Sequence, residues 1–212
     1  MGYFFKIYSA DLFLICDTVQ FERRGYSNRV QVKTHTGAQW LSVPVEHGQP
    51  LLKDAKIAGN QNWQRKHLRA IELAYQKAPY FDRYFPDLKE MLDDKWRFLA
   101  SLDEALLRYF LDALGIQTPV VRASDYDFHG EKSALVLDMG VKLGATRYIF
   151  GQKGRDYADI AAFTSAGIEV EFQNYKHPVY PQLHGPFVPG LSILDLLMNC
   201  GGNSLNVLRG TP

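Results

Sequence analysis

The fold class is decided by the stretch VVRAS (120–124), EKSALVLDMGVKLG (131–144) and TRYIF (146–150), continued by residues 156–166 and by IEVEF (168–172). Short runs rich in β-branched and aromatic residues alternate there with runs of eleven and fourteen residues at helical spacing. The pattern predicts strand–helix–strand–helix–strand. Because parallel strands need such crossovers, the sequence favours an α/β fold with a mostly parallel sheet and flanking helices.

The first half of the chain adds three features to this fold. GYFFKIYSAD (2–11) reads as a short helix, and LFLIC (12–16) as a buried strand. RVQVKT (29–34) and QWLSVPV (39–45) alternate apolar and polar residues and predict a β-hairpin. Residues of about 60–115 have helical spacing, which predicts a helical insertion. We therefore expect one α/β domain over the whole chain, 1–212.

Inside the helical insertion, two prolines mark the expected interruptions. Pro79 and Pro86 are predicted to break the helical region, because proline lacks a backbone N–H and clashes with the preceding turn. His67, on the first helix of this region, is expected on the surface.

Composition and charge limit the classes of partner. The chain has 212 residues with 46% hydrophobic and 22% charged, which is typical of a globular protein. Its net charge of +1 gives no electrostatic argument for a nucleic-acid partner. The longest apolar runs are about five residues, whereas a membrane span needs roughly 20, so no span is expected.

The two cysteines, Cys16 and Cys200, lie in apolar surroundings. Two cysteines are too few for a disulfide framework and their spacing is not that of metal ligands. Buried free thiols suit a reducing compartment, which predicts a cytoplasmic protein.

The first candidate site is the loop GQKGRDY (151–157), which follows a predicted strand and opens a predicted helix. Glycines at such a turn free backbone N–H groups that can bind a phosphate or carboxylate. The alternative is a plain strand-to-helix turn with Asp156 as N-cap. The candidate binding residues are Gly151, Lys153, Gly154, Arg155, Asp156 and Tyr157.

The second candidate site is the polar stretch after LFLIC. A carboxylate at the end of a buried strand suits catalysis, and clustered basic groups suit an anionic substrate. A solvated loop leading into the polar face of the hairpin is the alternative. The candidates are Asp17 as the catalytic carboxylate, with Gln20, Asn28, Arg29 and Lys33 for binding; Arg23 and Arg24 add to the local positive charge.

The third candidate is the proline-rich run after the last strand, 173–190. His177 is a plausible general base near neutral pH, with Tyr180 and Gln182 as binding residues. His177 and His184 are seven residues apart, which matches no standard helical ligand pair, so no metal site is predicted. Ordered cover over an active site and simple structural packing both remain open.

Four stretches of this sequence resemble the WbqC-like family: CDTVQFERRGYSNRVQVKT (16–34), QWLSVPV (39–45), GRDYAD (154–159) and YKHPVYPQLHGPFVPGLSILDLLMNCG (175–201). The last is long and specific. The family pattern carries over at Asp17, Val19, Gln20, Phe21, Asn28, Arg29, Lys33, Thr34, Gly151, Gly154, Asp156, Tyr157, His177, Pro178, Tyr180, Pro181, Gln182, Pro189, Ser192, Asp195 and Asn199.

The resemblance implies a transferase-like protein of bacterial surface-glycan (O-antigen type) biosynthesis. Its donor would be a nucleotide sugar or an activated aminoacyl or acyl group. Asp17 and His177 would be the acid–base pair, and Arg29, Lys33 and the 151–155 loop would hold the small anionic substrate. Glycosyltransferases of the same pathway are the implied protein partners; the resemblance does not identify a cofactor.

Two alternatives stay open beside the transferase. One is a non-catalytic binding or scaffold subunit of a glycan-assembly complex. The other is a nucleotidyltransferase-like enzyme that binds ATP near residues 151–154, since the order of elements is also similar to enzymes of the pantothenate synthetase kind. Whether the chain is an enzyme depends on which of the three holds.

The sequence departs from the family pattern at its start. Thr18 and Val30 stand where members have a second acid and a second asparagine. Members also carry a His-Gln-Pro-x-Tyr-x-Pro stretch before the equivalent of Gly2-Tyr3-Phe4. We therefore expect the domain's first strand to be missing from this chain.

Overall fold

A computed structural model describes residues 1–23, 25–48, 50–59 and 62–210. The helices are α1 (Gly2–Tyr8), α2 (Trp63–Tyr75), α3 (Phe81–Asp93), α4 (Leu99–Leu114), α5 (Lys132–Lys142), α6 (Ile160–Ser165), α7 (Ile193–Cys200) and α8 (Ser204–Arg209). The strands are β1 (Phe13–Ile15), β2 (Arg29–Thr34), β3 (Gly37–Ser42), β4 (Val120–Arg122), β5 (Arg147–Phe150) and β6 (Glu169–Phe172).

The predicted α/β class is confirmed, with helices around small, mostly parallel sheets. β1 runs parallel to β4 and β5 runs parallel to β6, while β2 and β3 form the predicted antiparallel hairpin. Gly37 turns the hairpin at a φ of +109°, a conformation that favours glycine.

The strand–helix–strand pattern over 120–172 does not form one continuous ladder. β4 pairs with β1, and β5 pairs with β6, as two separate two-stranded sheets. The partner of β4 lies more than a hundred residues earlier, since Val120 is in register with Phe13. Local periodicity carries no information about a partner at that distance, so the sequence predicted the strands and their parallel sense but not this pairing.

Two helix boundaries differ from those expected. α6 begins at Ile160, and Asp159 caps it by accepting the Ala162 N–H at 3.1 Å. Asp156 is therefore not the cap; it ends a short 3-10 turn (Gln152–Asp156). Pro86 lies inside α3 rather than ending it, and that helix is held by the buried side chains of Tyr84 and Leu88.

Two hydrophobic cores organise the molecule. The larger gathers side chains from α1, the hairpin, α2, α3, α4, α7 and α8. The smaller lies between β5, α6 and β6, with Phe150, Phe163 and Ile168 at its centre. The predicted loop 151–157 thus belongs to the small core, while Asn28 and Arg29 border the large one.

A buried carboxyl on α7 ties the large core together. Asp195 is fully buried and accepts hydrogen bonds from the hydroxyls of Tyr75 at 2.9 Å and Tyr180 at 2.8 Å. The Tyr75 hydroxyl also accepts the backbone N–H of Lys33 at 3.1 Å. Burial raises the pKa of Asp195 and, with the Asp195 charge beside them, the pKa values of both tyrosines. The cluster therefore connects α2, the hairpin, the proline-rich loop and α7.

The ammonium of Lys33 is part of the same interior. Its side chain is buried, and Nζ donates to the carbonyls of Gly185 at 3.1 Å and Pro186 at 2.6 Å. His184 next to them has a φ of +62°, and its Nε2 donates to the Ala74 carbonyl at 2.7 Å. Lys33 thus fastens the proline-rich loop to the hairpin from inside.

We expect Tyr75→Phe to destabilise the protein by about 1–3 kcal/mol, because it leaves a buried carboxylate oxygen and the Lys33 N–H without their shared partner. At roughly 2–4 °C per kcal/mol for a chain of this size, the melting temperature should fall by several degrees. Tyr126→Phe is the control, since the Tyr126 ring is exposed and only stacks on Phe128. Equal melting temperatures for the two variants would contradict the role given to Tyr75.

Candidate functional site

A small cavity lies between the hairpin and the helical region. Its volume is about 130 Å³. Its wall is mostly apolar, with a few polar side chains where the chain enters β2. The lining residues are Tyr26, Ser27, Asn28, Arg29, Val30, Val32, Leu41, Val43, Trp63, His67, Ile71, Leu88, Leu92, Leu102, Asp103, Leu106, Phe110, Ser192 and Leu194.

Two polar atoms at this cavity are buried and have no hydrogen-bond partner among the residues that the structure describes. Asn28 donates through Nδ2 to the Val43 carbonyl at 3.0 Å, but its Oδ1 is unpaired. The Nε of Arg29 is also buried and unpaired, while its guanidinium stacks 4.2 Å from the Trp40 ring centre. An unpaired buried polar atom costs about 1–3 kcal/mol. One acceptor and one N–H donor are therefore available to a ligand.

A third polar group at the cavity is the carboxyl of Asp103 on α4. It is half-buried and makes no hydrogen bond or ion pair within the described ranges. Burial raises its pKa to about 8. A carboxyl with this pKa is largely protonated at neutral pH, and a cation bound beside it would ionise it.

His67 completes the polar lining from α2. Its Nε2 donates to the Ser42 carbonyl at 3.1 Å, and its ring packs edge-on against Trp63 at 5.2 Å. Burial lowers its pKa, so the ring stays neutral at pH 7. The expectation of a surface residue is wrong, since the ring is half-buried at the cavity. The reason is that its helix face packs under the hairpin.

The predicted site residues of the polar stretch after β1 do not all lie in one place. Asn28 and Arg29 meet at the cavity, whereas Lys33 points into the core described above. Gln20 forms an isolated antiparallel bridge with Leu51, away from this lining. Arg24 lies outside the described residues.

Asp17 lies at the carboxyl end of β1, as predicted, and is almost fully buried. Its two oxygens accept from the Ser124 backbone N–H at 2.9 Å and the Ser124 hydroxyl at 2.5 Å. Ser124 follows β4, so Asp17 holds together the ends of two paired strands. It does not line the cavity, and its catalytic role stays a prediction.

The loop 151–157 forms a 3-10 turn against the small core. Lys153, Arg155 and Asp156 are exposed, and the guanidinium of Arg155 lies 4.6 Å from the Phe172 ring centre. Gly154 is buried, and a Cβ placed there would lie 2.5 Å from the Cβ of Phe150. The backbone N–H groups of Gly154 and Tyr157 donate to carbonyls within the turn. About half of the surface of Tyr157 is exposed.

The predicted site residues of the proline-rich loop, His177, Tyr180 and Gln182, make hydrogen bonds that stabilise the conformation of that loop. The Gly190 N–H donates to Nε2 of His177 at 3.2 Å, so Nδ1 carries the ring proton and donates to the Pro178 carbonyl at 2.9 Å. Gln182 binds both the N–H and the carbonyl of Val188. With Tyr180 bound to Asp195, these side chains order the loop. A role of His177 as a base would require releasing Gly190.

The sequence did not identify two parts of the cavity lining: Asp103, and the aromatic side chains of Tyr26, Trp63 and Phe110. A signal was present, because Asp103 shares a helical face with the apolar residues Leu99, Leu106 and Phe110 of α4. An acid on an apolar helix face indicates either a buried partner or a functional group. The partner is missing here, which makes Asp103 a candidate for binding.

No group of three or more His, Cys, Asp or Glu side chains that could hold a metal occurs among residues 1–23, 25–48, 50–59 and 62–210. In the same ranges, every helix is too short or too polar to cross a bilayer.

Comparison with known proteins places the chain in a family. The WbqC-like protein family matches residues 1–207. The chain belongs to the WbqC-like protein family. This confirms the resemblance, which covers nearly the whole sequence.

A curated relative has the same extent as this WbqC-like protein. It is "Uncharacterized protein Rv1507c" of Mycobacterium tuberculosis, 33% identical over 213 residues, which cover 98% of this chain and 92% of that protein. No solved structure matches. These comparisons show the family. A hypothesis about the activity has to be argued from the geometry of the small cavity.

Gly154→Ala tests the packing of the 151–157 turn. The added Cβ would lie far inside contact distance of Phe150, and overpacking of this kind costs about 1–3 kcal/mol. Gly151→Ala is a matched control, because a Cβ there meets nothing within 4 Å and its φ of −69° suits alanine. Thermal unfolding should show a loss only for Gly154→Ala; equal stability of both variants would contradict the contact.

Asp103→Asn should change how stability depends on pH. A folded pKa of about 8, against an unfolded value of 3.8, means that the folded state binds the extra proton between those values. Wild-type stability contributed by Asp103 should therefore fall as pH rises from 4 to 8. We expect the stability of the variant relative to wild type to rise between pH 5 and pH 9, by up to about 1.4 kcal/mol per pH unit, because asparagine has no proton to lose; urea unfolding at pH 5, 7 and 9 measures this. An unchanged pH profile would contradict the raised pKa.

Proposed function

We propose that the protein is a cytoplasmic, transferase-like protein of bacterial surface-glycan assembly that takes a small acyl or aminoacyl group from an activated donor. The observation that carries this is the mostly apolar cavity of about 130 Å³, at which two buried polar atoms, Asn28 Oδ1 and Arg29 Nε, have no hydrogen-bond partner among the described residues and which Asp103 also lines. Membership of the WbqC-like family supports the link to glycan assembly. Glycosyltransferases of the same pathway are its proposed partners.

The size of the cavity favours a small group over a whole nucleotide sugar. Cavities of about 150 Å³ accept a ligand the size of benzene, whereas drug-sized ligands need roughly 300–1,000 Å³. Only the transferred group therefore fits inside. The rest of an activated donor would have to lie outside, where Tyr26 and Ser27 border the opening.

The polar groups match the two ends of an aminoacyl unit. A carbonyl oxygen of the ligand would accept the free Nε–H of Arg29, and an amide N–H would donate to Oδ1 of Asn28. An ammonium would lie against Asp103 and ionise it. A simple acyl group has a carbonyl but no N–H, so it uses only the Arg29 contact and leaves Asp103 protonated; the charge of the ligand decides whether Asp103 contributes.

The residues first assigned to catalysis have a more restricted place in this proposal. Neither Asp17 nor His177 lines the cavity, and both hold backbone segments in position. We keep them as acid–base hypotheses for the transfer step. Arg29 and Asn28 are the residues that we propose to contact the bound group.

Binding of two probes of nearly equal size tests the proposal. Glycinamide carries an ammonium where propionamide carries a methyl group. We expect both amides to raise the melting temperature saturably, because a ligand that binds only the folded state stabilises it. Glycinamide should bind tighter, and Asp103→Asn should remove that preference.

The matched variants are Arg29→Met and Lys89→Met. Methionine keeps an apolar stem over Trp40 but lacks the Nε–H, so Arg29→Met should weaken both amides by about tenfold, equivalent to 1.4 kcal/mol. Lys89 is an exposed residue of α3 and its variant should bind like wild type. Failure of both amides to protect the wild-type protein would refute the small-group proposal and favour the scaffold alternative.

The nucleotidyltransferase alternative makes a different prediction. It places ATP at the 151–154 turn, so ATP binding should be lost in Arg155→Ala and retained in Arg29→Met. If Arg29→Met instead weakens the amide probes while Arg155→Ala binds them like wild type, the small cavity is supported.

A further inference from the structure

A second concave surface lies at the other end of the hairpin. It is a groove of about 410 Å³ between the hairpin turn and α2. We call it the α2 groove. Its lining residues are Thr34, His35, Thr36, Gln39, Arg65, Lys66, Arg69, Ala70, Leu73 and Ala74. None of these residues lines the small cavity, although β2 and α2 contribute to both.

The α2 groove is strongly basic. Arg65, Lys66 and Arg69 lie on one turn of α2, and none of the described residues that line the groove is an aspartate or a glutamate. Arg69 pairs with the exposed Glu72 at 2.8 Å. Arg65 and Lys66 have no ion pair within the described part of the chain. In a protein of net charge +1, this concentration of positive charge is local rather than general.

The floor of the groove is apolar. Ala70 and Ala74 lie along it, and Leu73 exposes 52% of its surface there. A purely solvated charged face would not need an exposed leucine between its cations. Thr36 and Gln39 border the floor on the hairpin side with a hydroxyl and an amide. The groove therefore offers cations, polar groups and an apolar surface to one ligand.

We propose that the α2 groove is a separate site that binds a nucleoside diphosphate. The phosphates would contact Arg65 and Lys66, since charge-assisted hydrogen bonds from these side chains to phosphate oxygens are strong. The base or sugar ring would cover Leu73. The groove is distinct from the small cavity, so binding of the nucleotide can be measured independently of the small group that the cavity is proposed to hold.

The size and extent of the groove favour a nucleotide over a polymer. A volume of about 410 Å³ lies within the roughly 300–1,000 Å³ of sites for ligands of this size. A further hollow next to it shares His35, Leu73 and Ala74 and continues to Lys77 and His184. The basic surface thus has room for one extended small molecule, and the chain's near-zero net charge supplies no attraction for a long polyanion.

Nucleotide binding to two charge-reversal variants tests this assignment. Lys66→Glu places an acid in the groove, and Lys89→Glu makes the same change on α3, where the side chain is exposed and outside every cavity described here. UDP and ADP are titrated by calorimetry at low ionic strength. We expect Lys66→Glu to weaken the tighter of the two by at least about tenfold and Lys89→Glu to leave it unchanged. Circular dichroism of both variants checks that they are folded.

Each outcome of these titrations either supports or overturns the assignment of the α2 groove. Loss of nucleotide binding in Lys66→Glu and its retention in Lys89→Glu supports the groove. Equal binding by both variants, or no binding of UDP or ADP to the wild type at millimolar concentration, overturns it. Inorganic phosphate that competes as well as the nucleotide overturns the nucleoside part of the assignment.

The variant Arg29→Met separates this inference from the proposed function. It changes the small cavity and leaves the groove intact, so it should bind UDP or ADP like wild type. If the amide probes fail while Lys66→Glu still abolishes nucleotide binding, the groove stands and the small-group proposal falls. If the amides bind and the nucleotides do not, the reverse holds.

Discussion

The buried carboxylate of Asp195 is the interaction on which the arrangement of this protein depends. The hydroxyls of Tyr75 and Tyr180 donate to its two oxygens, and the Tyr75 hydroxyl also accepts the Lys33 N–H. These hydrogen bonds join α2, the hairpin, the proline-rich loop and α7 at one buried carboxylate. A buried carboxylate is tolerated only when it is fully hydrogen-bonded. The cluster therefore fixes the relative position of the hairpin and α2, between which the small cavity lies.

That fixed geometry explains why two polar atoms can remain unpaired at the cavity. Asn28 and Arg29 stand at the start of β2, whose other end is held by the Lys33 N–H and its ammonium. A mobile strand would relax until Oδ1 and Nε found water or a neighbour. If the cavity binds a ligand as proposed, this rigid support lowers the cost of binding, because the polar atoms are already held in place.

The sequence predicts the elements of this fold well and their assembly less well. Strand runs such as RYIF and the hairpin RVQVKT–GAQWLS follow directly from short-range periodicity. The pairing of β1 with β4 does not, because the partners are distant in sequence. Of the candidate site residues, Asn28 and Arg29 reach one cavity. Lys33, Tyr180 and Gln182 are polar residues whose burial could not be read from their type. Asp103 lies on an apolar face of α4. The sequence does not show that its carboxyl makes no hydrogen bond or ion pair within the described residues, and that absence is what marks it as a candidate.

The parallel pairing of β1 with β4 has a consequence for how the chain reaches its native state. Phe13 must find Val120 across more than a hundred residues. Pairings of such long sequence separation slow folding far more than they affect stability. The hairpin and α2–α4 lie wholly inside the loop that this pair closes, and their contacts are short in sequence. Most residues of both proposed binding surfaces therefore belong to a segment whose contacts are short in sequence, whereas the pairing of β1 with β4 and the packing of α7 join parts of the chain that are far apart.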